Sequence, residues 1–210
     1  MNNHSTHFKF SSFKLIEEGF HLFAKAPGVF IVYMIIGWAL HIVANWIPFL
    51  GAIVALLIIS LHSVGFYILL NKLHEKGSIK IEDCFEAVNY FGQAALVNIL
   101  YWIFITIGFL LFLIPGVYLV ITYVLALPFL IFDHLKAWDA LERSRKVIHK
   151  NFLSVFKLLI MLFILNILGV VTLGIGLLIT VPTTQAAIYL LYRKLRSSMP
   201  PSELALPDTK

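Results

Sequence analysis

Every charged side chain of this 210-residue chain falls in one of four stretches: 9–25, 72–86, 133–157 and 193–210. Between them run hydrophobic blocks interrupted only by uncharged breaks near Pro48, Ile114-Pro115-Gly116 and Leu173-Gly174. About 20 apolar residues cross the hydrocarbon core of a bilayer as a helix. Six spans are therefore expected, at 29–47, 50–70, 94–114, 116–132, 152–171 and 173–192. The chain is 60% hydrophobic with a mean hydropathy of +0.91, against roughly 45–50% apolar in a soluble domain. A soluble protein of this length has too little interior for so much apolar surface.

The predicted fold class is all-α, a polytopic membrane protein whose six transmembrane helices form three parallel helical hairpins. Residues 1–196 form a single integral membrane domain, and 197–210, with Pro200, Pro201 and Pro207, form a flexible tail. All 16 Lys and Arg lie on one side of this threading, which the positive-inside rule makes the cytoplasm. Both termini are then cytoplasmic, and the first span acts as its own uncleaved insertion signal. The net charge of +5 suits an anionic lipid surface and calls for no nucleic acid. The single cysteine, Cys84, permits no internal disulfide and reads as a buried thiol.

A weak repeat runs through the chain. Each unit opens on an apolar residue followed by Glu (Ile16-Glu17, Phe85-Glu86, Leu141-Glu142) and reaches a turn glycine at Gly51, Gly116 and Gly174 after 34, 30 and 32 residues. The return run ends at a polar boundary, Asn71, Asp133 and Arg193, after a further 20, 17 and 19 residues. The units cover about 13–73, 81–133 and 137–196. All start and finish on the same side, unlike the inverted halves of many transporters.

Each unit is expected to begin with an amphipathic interfacial helix. The apolar residues at helical spacing are Phe13, Ile16, Phe20 and Phe23; then Ile81, Cys84, Phe85 and Val88; then Trp138, Leu141, Ile148 and Phe152. Such a helix lies in the headgroup layer with its apolar face dipped into the membrane. In the third, Arg143, Arg145, Lys146 and Lys150 form a cationic side and are the candidate lipid-headgroup contacts. Pro128 and Pro182 predict kinks in the second and third return helices.

Little of this points to reaction chemistry. No Asp or Glu lies within a span, which removes the usual acidic relay or cation site. His74-Glu75 lacks the second His of a zincin helix, and no nucleophile elbow occurs. No cofactor or metal is expected, and the chain reads as a non-enzyme. Asn98, Thr122, Asn166 and Gln185 read as hydrogen-bond glue between helices. A transport cavity would instead gather them. His41 and His62, on the two arms of the first hairpin, are expected to be neutral, hydrogen-bonded structural residues.

The residues Leu113-Ile114-Pro115-Gly116-Val117-Tyr118, Leu127-Pro128, Asp133, Ala140-Leu141, Ser144 and Asn151-Phe152 resemble a family of bacterial inner-membrane proteins. It comprises the YciC-like proteins and the membrane domain fused to some glycerophosphodiester phosphodiesterases. The resemblance covers 113–152 and implies a six-helix inner-membrane domain. It carries no phosphodiesterase activity, because the chain holds no catalytic barrel. Within it, Asp133, Arg143 and Ser144 form a candidate polar cluster that fixes the third elbow. The function expected is binding, of anionic phospholipid or of a membrane partner, in envelope homeostasis. A small transporter for an apolar or amphipathic solute, or an accessory subunit of a membrane complex, is the alternative.

Overall fold

The computed structural model describes residues 10–48 and 50–200; residues 201–210, most of the expected tail, lie outside it. Every regular element among the described residues is helical. In chain order these are α1 (Ser12–Ala24), α2 (Pro27–Asn45), α3 (Gly51–Lys76), a 3-10 helix (Ile81–Tyr90), α4 (Phe91–Leu111), α5 (Leu113–Thr122), α6 (Ala126–Phe132), α7 (Ala137–Lys150), α8 (Phe152–Val171) and α9 (Leu177–Ser197).

Among the described residues, five helical stretches are long and apolar enough to cross a membrane: Pro27–Asn45, Gly51–Lys76, Ile81–Leu111, Leu113–Phe132 and Phe152–Val171. The sixth expected span forms α9, which falls short on composition. It carries Pro182, Thr183, Thr184 and Gln185 midway and Arg193, Lys194 and Arg196 near its end. Its placement accounts for this polarity. Residues Ala186–Tyr192 are all buried, and α9 packs against α1, α2, α3, α6 and α8. A helix enclosed by others need not present an apolar surface to lipid.

Burial separates two layers. The first-arm stretches containing α2, α4 and α8 are 28, 28 and 22% buried, whereas the return stretches α3 and α5–α6 are each 50% buried. The returns, with α9, form the inside; α3, α6 and α9 touch one another. Around them the amphipathic elements follow one pattern. The 3-10 helix packs on α3, α7 packs on α6, and α1 packs on α9. The first helix of the chain thus lies against the last.

These elbows divide their apolar residues between protein and surroundings. In α1, Leu15, Gly19, Leu22 and Phe23 are buried, while Phe13 and Phe20 face outward. A Cβ on Gly19 would stand 2.9 Å from the Ala187 backbone nitrogen and 3.0 Å from the Thr183 carbonyl, so only glycine lets α1 lie this close to α9. Leu141 and Ile148 of α7 are likewise buried, leaving Trp138 outside. The expectation of apolar faces dipped into the membrane is thereby corrected for α1 and α7, where much of the face is taken up by α9 and α6, while Phe85 and Val88 of the 3-10 helix stay exposed.

Candidate functional site

The ends of α3, α6 and α9 surround a polar vestibule of about 600 Å³, whose wall includes Asn71, Glu75, His134, Tyr192, Arg193 and Arg196. The last turns of α9 bind its rim together. The Tyr189 hydroxyl donates to Asn71 Oδ1 at 2.7 Å and the Tyr192 hydroxyl to Asp133 Oδ1 at 2.9 Å. Arg196 Nε also donates to Asp133. Arg193 reaches the Tyr189 hydroxyl at 3.1 Å and Glu75 at 3.8 Å, and Lys194 pairs with Glu18 of α1 at 2.6 Å. Across the cavity Lys72 is held by Asp83 at 2.8 Å and Glu86 at 2.5 Å. Most of the charge here is matched by opposite charge, so the vestibule reads first as a clasp on the three return helices.

The anticipated cluster of Asp133, Arg143 and Ser144 divides. Asp133, only 7% exposed, gives its Oδ1 to Tyr192 and Arg196 of α9. Ser144 lies fully buried elsewhere, against the break between α5 and α6. Its hydroxyl donates to the Thr122 carbonyl at 2.6 Å and accepts from the Leu125 backbone nitrogen at 3.2 Å. The cause of the break is Pro128, which has no N–H to offer the carbonyl of Val124. Helix breaks inside a membrane persist where neighbouring side chains supply the missing bonds. Ser144 thus joins α7 to that break and not to Asp133. Arg143 is half-buried on the same helix. Pro182, by contrast, leaves α9 continuous.

The cationic side of α7 is tempered by its own acid. Arg145 donates to Glu142 through Nε at 2.9 Å and Nη2 at 2.7 Å, and Lys146 approaches the same carboxylate at 3.4 Å. The hydrogen bond from Arg145 holds the Glu142 carboxyl below its ordinary range. Lys146 and Lys150 are exposed. Glu142 was readable as the counter-ion, since it stands three and four residues before its partners.

An apolar slot of about 360 Å³ lies where the 3-10 helix meets α2 and α3. Ile36, Leu40, Leu61, Cys84, Phe85 and Val88 are on its wall. Tyr33 closes one side, its ring stacked on His62 at 4.5 Å and its hydroxyl donating to the His62 carbonyl at 3.0 Å. Cys84, read from sequence as buried, is half-buried on this wall. No local sequence signal marks the slot, because it arises from three elements meeting.

Of the intramembrane amides expected as glue, Asn98 and Asn166 bond across helices, whereas Gln185 lines a cavity. Asn98 donates to Ser60 at 3.0 Å between α4 and α3, and Asn166 to Thr184 at 2.7 Å between α8 and α9. Thr122 bonds its own helix at Leu119. These pairs suit helix-to-helix glue and do not gather into one transport cavity. No protein-family model, curated protein or solved structure matches this chain.

Proposed function

We propose that this is a six-span, non-enzymatic protein of the bacterial inner membrane, with both termini cytoplasmic, that binds phospholipid at the charged end of its bundle. The observation that carries the reading is the slot beside the 3-10 helix. Its walls are apolar, it belongs to two spans and an interfacial elbow, and its neighbours Phe85 and Val88 are 72 and 60% exposed. The occupant that fits is an acyl chain, entering from the bilayer with its headgroup at the level of the elbow. A chain that comes from the bilayer is already out of water, so what it gains there is packing against the slot wall. Lys80, which precedes Ile81, and Lys146 and Lys150 of α7 are exposed cations for anionic headgroups. The three elbow-and-hairpin units are read as repeats, because each elbow rests on a return helix in the same cyclic order. The resemblance of 113–152 to the YciC-like proteins agrees with this placement.

Native mass spectrometry of the full chain in mild detergent tests the proposal. Wild type retains an anionic phospholipid such as phosphatidylglycerol. The pair Ile36→Trp and Leu40→Trp, which fills the slot, loses most of it, and Arg143→Ala with Lys146→Ala weakens the preference for anionic over zwitterionic lipid. Equal retention by wild type and the slot-filled pair would sink the reading.

A further inference from the structure

A second cavity, of about 280 Å³, lies on another side of the same hairpin, between α2, α3 and α9. Its wall is mainly apolar, but five hydrogen-bonding side chains converge on it: Trp38, His41, His62, Ser63 and Gln185. None of these five side chains makes a hydrogen bond to another described residue. That overturns the expectation of hydrogen-bonded structural roles for His41 and His62. By contrast, Ser60, Asn98, Thr122, Asn166 and Thr184 each have a partner, although Thr180 Oγ1 is buried without one.

Depth makes this costly. His62 and Gln185 each lie 11 residues beyond a turn glycine, Gly51 and Gly174. At 1.5 Å per residue that is about 16 Å, close to the middle of a core roughly 30 Å thick. Water is scarce there, and an unpaired polar group costs several kcal/mol. The geometry is also tightly built. A Cβ on Gly37 would sit 2.3 Å from the His62 ring, so glycine at 37 gives the imidazole its seat between the two arms. His41 is exposed and Trp38 is 37% exposed at the outer side, which leaves the cavity open toward the lipid.

We propose that this cavity binds the neutral head of an amphipathic molecule, a hydroxyl or carbonyl carried on an apolar body, taken from the bilayer. No Asp, Glu, Lys or Arg lines it, so it offers nothing to a charged head. His41 and His62 are not part of any group of three metal-ligating side chains among the described residues. What the wall does offer is matched donors and acceptors: the Gln185 amide, the Ser63 hydroxyl and two imidazoles, with the Trp38 N–H as a donor. An apolar pocket with a few convergent polar groups is the ordinary form of a small-ligand site. The cavity shares Gly37, Ile58 and His62 with the acyl-chain slot but differs from it in Trp38, His41, Ser63 and Gln185, where the slot has Cys84, Phe85 and Val88 of the 3-10 helix.

The test is photolabelling of the full chain in nanodiscs with two probes, a diazirine-bearing hexadecanol and the same chain with a methyl group in place of the hydroxyl. Peptides from α2, α3 and α9 that border the cavity should take up the alcohol about ten-fold more than the hydrocarbon, as one to two good hydrogen bonds imply. Gln185→Leu and, separately, Ser63→Ala should reduce alcohol labelling to the hydrocarbon level. Gln185→Leu should also raise the melting temperature of the probe-free protein, because it removes an unpaired polar group; a merely structural glutamine would lower it. Should Gln185→Leu fail to fold, Ser63→Ala and Trp38→Phe carry the same comparison. Equal labelling by both probes, alcohol labelling confined to residues 81–88, or labelling indifferent to the substitutions overturns the proposal. Labelling of 81–88 by both probes alike, with no alcohol preference at Trp38, Ser63 or Gln185, would leave the acyl-chain slot standing while this site fell.

Discussion

Ser144 shows how much can rest on one hydroxyl. It is fully buried, and its oxygen serves both a carbonyl and an N–H exposed by the break before Pro128. Ser144→Ala leaves both groups unpaired at about 1–3 kcal/mol each, so thermal unfolding in detergent should begin at a lower temperature. Ser144→Thr, which keeps the hydroxyl but adds a methyl, should retain more of the stability than Ser144→Ala. Glu142 makes a smaller contribution with a defined pH dependence. Its folded pKa lies below the ordinary 4.5, so its stabilisation is complete above that value and is lost as pH falls through the lower folded one. The pair is partly exposed, which limits it to about 0.3–0.5 kcal/mol. A melting series from pH 6 to 3 should therefore decline slightly more steeply in wild type than in Glu142→Gln.

At the scale of elements, α1 is held by shape. Its buried side presents Gly19 to the backbone of α9, and neither helix can be moved apart without losing Leu15, Leu22 and Phe23 from the core. Gly19→Leu overpacks this seam at about 1–3 kcal/mol. Hydrogen exchange should then rise along Ser12–Ala24 while α4 and α8 keep their protection; uniform loss across all spans would contradict a local seam. Helix positions here were legible from composition alone. Four of the six expected spans appear within a residue or two of a helical stretch at one end or both, because lipid imposes a length that sequence displays directly. The partners of the amphipathic helices were not legible. Periodicity gives the apolar side of α1 but cannot distinguish lipid from α9 as the surface that covers it. The same limit applies to α9, whose mid-helix polar residues make sense only once the helices around it are known. Ser144 and Asp133 were visible as polar residues near helix ends, whereas their partners, Leu125 and Tyr192, depend on which helices meet.

For the whole molecule, the consequence is a closed circuit of packing, with α1 against α9 and Glu18 bonded to Lys194 across 176 positions of sequence. A bundle built from independent hairpins would have no need of that seam. If the circuit holds the molecule together, the chain can be cut between α6 and α7 and still assemble. Fragments 1–134 and 135–210, co-expressed with a tag on the first, should purify as a pair, since α7 returns to α6 and α9 returns to α1 and α3. Removing 1–24 from the tagged fragment deletes one side of the seam and should lower recovery of the second fragment several-fold. Glu18→Lys, which sets two cations against each other, should weaken it less, because a partly exposed pair contributes at most about 1 kcal/mol, and Lys194→Glu on the other fragment should restore the loss. Recovery that is indifferent to the first 24 residues would mean that α1 lies on the bundle without closing it.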